Sequence, residues 1–145
     1  MVSFSVEEVV PMSVPKPQRS VSDMEFIRTA RELQIFTIRK CKNFPKRYSF
    51  YISIPLANAS TRVYESVKRG NSIYPTNQHE VQMRRNCFLQ ANAELYSIAS
   101  QIEVAEEMFG LDREIIYQWI QLVDREITLV KGVMDSDKKR YSKLH

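Results

Sequence analysis

The sequence predicts an all-α protein, an up-down-up-down antiparallel four-helix bundle, and three observations carry that reading. First, Phe88, Ala91, Leu95, Ile98, Ile102, Ala105 and Phe109 recur at alternating steps of three and four. That spacing lines them along one seam of a long helix and suits no strand. Second, Ile116, Trp119, Val123, Ile127, Val130 and Met134 continue the pattern after a break at Phe109-Gly110-Leu111, which makes the two stretches an αα-hairpin. Third, the chain has only three glycines, too few for Gly-rich phosphate loops or tight β-hairpins. A hairpin with one apolar face must bury it, and the preceding chain offers a second hairpin to receive it.

Taken in order, residues 1 to 22 hold Pro11, Pro15, Pro17 and scattered Ser and Val without periodicity, the composition of a flexible N-terminal arm. Ser22 and Glu25 have capping-box spacing, so helix 1 is expected from about Asp23 to about Lys42. Its apolar residues Phe26, Ile27, Ala30, Leu33, Ile35, Phe36 and Ile38 span more than one seam. Either the helix is deeply set or it carries a second contact surface. Asn43-Phe44-Pro45-Lys46 is short enough only for an antiparallel return. Helix 2 is expected from Arg47 to Arg69, with Phe50, Ile54, Ala57, Thr61, Tyr64 and Val67 as its seam and Gly70-Asn71 as its C-cap. Pro55 interrupts it, predicting a kink or a regular part that begins near Ile54.

Residues 71 to 77 form the longest irregular connection, ending on Thr76 or Asn77 as the cap of a helix that begins near Gln78, with Glu80 completing a box. Asp112 caps helix 4, which is expected to end near Arg140. The domain reading is therefore an arm over 1–22, one bundle over 23–141 and a polar tail over 142–145. Tyr51, Val63, Tyr96, Ile120 and Leu129 lie off the seams, which adds to helix 1 as a reason to expect self-association.

The pattern of four helices, with a basic first half, Asn43-Phe44-Pro45-Lys46-Arg47 between helices 1 and 2, and Asn77 to Arg85 opening helix 3, resembles a small bacterial four-helix-bundle family. That family includes proteins encoded by intervening sequences in large-subunit ribosomal RNA genes and the accessory variability proteins of diversity-generating retroelements. The resemblance spans roughly residues 24 to 141 and implies a homo-oligomer, a ring of five chains, that binds RNA or DNA through basic surface. In the retroelement members it also implies support of a reverse transcriptase.

Composition narrows the chemistry. Cys41 and Cys87 stand alone inside helical patterns, without a CxxC or a secretory signal, so a disulfide or zinc site is not expected and a cytoplasmic location is. No apolar run reaches the ~20 residues of a membrane span. Di-iron bundle sites need Glu-x-x-His on two helices, and neither His79 nor His145 follows a Glu by three. His79 and Cys87 are separated by ~12 Å of helical rise, too far to share a proton. No catalytic residue, metal or cofactor is expected, and the chain reads as a binding module.

Charge is segregated. Residues 28 to 85 carry a net +9, residues 86 to 137 a net −7 and residues 138 to 145 a net +4. Such asymmetry points to a polyanionic partner or to pairing between halves. At the pole containing Phe44, cations from Arg39 to Arg47 should meet Glu103, Glu106, Glu107, Asp112 and Glu114, within one molecule or between neighbours. At the opposite pole, Lys68, Arg69, Lys138, Lys139 and Arg140 sit at helix C-termini, where the macrodipole favours them by ~0.3 to 1 kcal/mol each. Arg84 and Arg85 sit instead near a helix N-terminus, and one of them continues the apolar line from Val81 to Phe88. Either their partner is nucleic-acid phosphate or a protein carboxylate, since the arginine fork suits both, or they are solvated surface. Tyr74 beside them either stacks on a base or packs in its loop. The candidate nucleic-acid-binding set is thus Arg84, Arg85, Lys68, Arg69, Lys138, Lys139, Arg140 and Tyr74. The rival reading is a protein-interaction scaffold whose charge asymmetry serves docking.

Overall fold

A computed structural model describes residues 21–145, with side chains from Glu25 onward. Residues 1–20 of the expected arm lie outside the described residues. Four helices make up the fold: α1 (Val21–Cys41), α2 (Ile54–Ser72), α3 (Gln78–Phe109) and α4 (Arg113–Arg140). Each packs on the next in chain order, and α4 closes on α1, giving the four-sided up-down-up-down bundle expected. Among the described residues there is no strand, and no helix is long and apolar enough to cross a membrane.

The local signals for α3 and α4 are those the sequence carries. The Asn77 side chain accepts a hydrogen bond from the Glu80 N–H at 2.9 Å. The Glu80 carboxylate reaches back one residue further than a capping box requires, to the N–H and hydroxyl of Thr76, both at 2.7 Å. Those two hydrogen bonds hold its pKa below the ordinary glutamate value. Gly110 ends α3 with φ of 61°, the left-handed conformation that glycine adopts without a Cβ clash. Asp112 caps α4 through the Glu114 N–H at 2.7 Å.

The first hairpin meets expectation at Pro55 and departs from it in three places: the start of α1, the seam of α2 and Gly70. α1 already includes Val21, so Ser22 lies within the helical span rather than at its N-cap. Between α1 and α2 the chain makes a 3-10 turn over Lys46–Tyr48 and a π-helical turn over Ser49–Ser53 before regular helix begins at Ile54. Pro55 explains this boundary. It has no N–H to give and its ring crowds the carbonyl of Tyr51, so it is tolerated only in the first turn of the α-helix. The seam of α2 departs too: of Phe50, Ile54, Ala57, Thr61, Tyr64 and Val67, only Val67 is fully buried. Ile52, Leu56, Ala59 and Val63 share the core with it, while Phe50 is 82% exposed and Ile54 lies open as well. Ser60 is buried on this face as well. Val63, expected off the seam, is therefore core. Ile120 and Leu129 are half-buried against that core, so of the five off-seam residues only Tyr51 and Tyr96 are exposed.

Gly70 is not a C-cap. α2 continues past it to Ser72, and its role is steric: a Cβ there would lie 2.6 Å from the Phe88 ring. At the other pole the core closes with aromatic rings. Phe44 lies 4.9 Å from Phe109 and 6.3 Å from Trp119, centroid to centroid, with Tyr48 5.6 Å from Phe109. Trp119 is fully buried, and its indole N–H donates to the equally buried Thr37 hydroxyl at 3.0 Å. Cys41 nearby is buried, which pushes its thiol up to about 12 and makes it a packing residue rather than a nucleophile.

One core position on α4 is not apolar. Glu126 is 0% exposed, and neither carboxyl oxygen has a hydrogen-bond partner among the described residues. Burial pushes its pKa well above the ordinary glutamate value, against the pull of Arg125, while Glu25 adds a further push upward.

Two outcomes test this packing. Trp119→Ala should cost ~3 to 5 kcal/mol through the cavity and the orphaned Thr37 hydroxyl, read as a large drop in the urea midpoint; an unchanged midpoint would place the indole outside the core. Because the folded state holds the Glu126 proton more tightly than the unfolded chain does, its stabilising contribution is complete below the ordinary glutamate pKa. That contribution is lost as pH rises toward the folded-state value. The wild type should therefore lose stability relative to Glu126→Gln across that window, whereas parallel stability curves from pH 4 to 8 would contradict the burial.

Candidate nucleic-acid interface

The pole opposite Phe44 gathers the C-terminal ends of α2 and α4 and the start of α3. Arg84 lies at its centre and is only 2% exposed. Its Nε donates to Asp137 Oδ2 at 2.7 Å and its Nη2 to Asp137 Oδ1 at 3.3 Å, a forked ion pair between α3 and α4. Nη1 donates to the carbonyls of Gly70 and Ile73, both at 3.2 Å, at the end of α2. The guanidinium also stacks near the rings of Phe88, at 5.0 Å, and Tyr141, at 5.9 Å. One side chain thus fastens three helix ends.

This corrects the sequence-based assignment. Of the two expected partners, Arg84 has the protein carboxylate, and no face of it is left for phosphate. The physical reason is the position already noted: Arg84 continues the α3 seam, so it points inward, and Asp137 continues the α4 seam to meet it. Asp137 was missed as a functional residue, although the two seams ending in opposite charges at one pole are legible in the sequence.

The other assigned residues remain around this clasp. Arg85 is half-buried and shares a small cleft of about 40 Å³ with Val81, Met134, Asp137 and Lys138. Arg69, Lys138 and Lys139 are exposed. Lys68 is half-buried with an interaction of its own, and the Arg140 guanidinium lies 5.9 Å from the Tyr141 ring. Tyr74 is 50% exposed in the α2–α3 connection. The expected polar tail is drawn in as well: the Gln78 side chain donates to the carbonyls of Tyr141 and Leu144 at 2.9 Å, which holds Lys143 near the start of α3. Nearby acids are few. Asp137 is held by Arg84, Glu80 by Thr76, and Asp135 is exposed on α4. The arrangement gathers cations from three helix ends at one pole.

No family model, characterised protein or solved structure matches the chain.

The clasp makes a direct prediction. Arg84→Met should destabilise the bundle by ~3 to 5 kcal/mol because it strands the Asp137 carboxylate. Adding Asp137→Leu should recover much of the loss, since a packed apolar pair replaces a buried ion pair at little net cost. A double-mutant cycle by chemical denaturation reads the coupling, and additive losses would argue against a shared clasp.

Proposed function

We propose that this chain is a non-enzymatic nucleic-acid-binding bundle that engages phosphate backbone through the pole around Arg84. The observation that supports it best is the set of cations Arg69, Arg85, Lys138 and Lys139 on three helix ends that one buried clasp holds rigid. Charge of this kind, contributed by several elements at one end, suits a polyanion, and phosphate contacts would supply most of the affinity with little sequence preference. Tyr74 adds an exposed ring on which a base can stack. Under the resemblance to the retroelement accessory proteins, the ligand would be RNA or DNA handled by a reverse transcriptase, with the bundle as its oligomeric accessory.

The scaffold reading has its own support, in the exposed Phe50 and Tyr51 at the other pole. The two readings separate by salt and by site. Replacing Arg69, Arg85, Lys138 and Lys139 together by Gln leaves the Arg84 clasp untouched. It should weaken binding to single-stranded RNA and lower the slope of log K against log salt by up to about three units, at roughly 0.7 per phosphate contact. Fluorescence anisotropy at two salt concentrations measures both. If the wild type binds neither RNA nor DNA at low salt, or the variant binds as the wild type does, the nucleic-acid reading fails and the scaffold reading stands.

A further inference from the structure

We infer that the Phe44 pole is an interface between copies of this chain, in which Phe50 and Tyr51 of one copy seat in the groove over the α3–α4 turn of the next. The inference uses none of the cations assigned above to nucleic acid.

Phe50 and Tyr51 are 82% and 76% exposed, the most open large apolar side chains among the described residues. They stand on the π-helical turn that Pro55 imposes, so a structured segment presents them. Flanking them on α1 and the connection are Arg39, Lys42, Lys46 and Arg47, all exposed. The bundle's own acids do not neutralise these cations: no ion pair among the described residues joins them to Glu103, Glu106, Glu107, Asp112 or Glu114. Of the two pairings the charge pattern allows, the one within a molecule is thus not made.

The complement lies on the same molecule. At the same pole, a shallow groove of about 490 Å³ runs between the end of α3 and the start of α4. Its floor is Ile116, Tyr117 and Ile120, and its rim carries Glu106 and Glu114 beside Arg113. Glu103, Glu107 and Asp112 add negative charge around it. An aromatic projection with a basic surround therefore meets an apolar floor with an acidic rim. Helix order puts the α1–α2 edge and the α3–α4 edge on opposite sides of the bundle. Two different surfaces on opposite sides give a head-to-tail contact, which repeats from copy to copy and closes into a ring when the rotation allows. Two aromatic side chains bury roughly 300 to 500 Å² together, short of the ~800 Å² per partner of a stable interface. Ile54, one turn beyond Phe50, and the charged rims must therefore take part.

Two pairs of substitutions at exposed positions test the contact. Phe50→Ser with Tyr51→Ser removes the projection, and Glu114→Lys with Tyr117→Lys blocks the groove; circular dichroism confirms that each variant folds. The wild type should sediment at a multiple of the 17.0 kDa chain mass. Each variant alone should be monomeric, with self-association weaker by roughly 100-fold or more. An equimolar mixture should form only dimers, because each variant keeps one of the two surfaces. A wild type that stays monomeric at high micromolar concentration, a variant that assembles as the wild type does, or a mixture that stays monomeric would overturn the interface. Should the projection variant lose RNA binding while keeping the wild-type mass, the two rings would belong to nucleic acid and not to a second copy.

Discussion

A guanidinium cannot shed its charge when buried, so a bundle that encloses one must surround it with acceptors or fail to fold. Arg84 is enclosed in this way. Asp137 takes two of its donors, the carbonyls of Gly70 and Ile73 take another, and Phe88 and Tyr141 flank the plane. Each partner constrains another part of the chain. Phe88 can reach the guanidinium because Gly70 has no Cβ to block its ring. Asp137 must lie in the last turn of α4, and α2 must run far enough to present its terminal carbonyls. The geometry of the whole pole follows from where this one charge is held.

The two poles are consequently built on different physics. Around Arg84 the helix ends are joined by directional polar contacts, and Arg69, Lys138 and Lys139 are left outside, where the dipoles of α2 and α4 favour them. Around Phe44 the closure is made by aromatic rings, packed in the order Tyr48, Phe109, Phe44 and Trp119. There the irregular turn before Pro55 leaves Phe50 and Tyr51 outside that cluster. A polar, rigid, basic end suits an extended polyanion. An end with exposed rings and unpaired charge of both signs suits another folded surface. The two proposed roles thus occupy separate ends and do not compete for residues.

Between the poles the core is not uniformly apolar. Thr29, Ser66 and Glu126 are all buried, on α1, α2 and α4, and the Glu126 carboxyl and Ser66 hydroxyl lack hydrogen-bond partners among the described residues. Such positions destabilise a bundle relative to an all-apolar core. This chain therefore depends more heavily on its two closed ends than a bundle with a fully apolar centre would.

The sequence by itself determined what is local. The caps at Asn77 and Asp112, the stop at Gly110, the seams of α3 and α4, the burial of Trp119 and the break at Pro55 all depend on side chains within a turn or two of the backbone they govern. Tertiary structure decided what depends on a partner across the bundle. α2 carries two apolar lines of comparable regularity, and the one through Leu56, Ala59 and Val63 turns inward. The α3 seam says that Arg84 and not its neighbour Arg85 points inward, but not what receives it. Its partner Asp137 is 53 positions away, and only folding brings it within 2.7 Å.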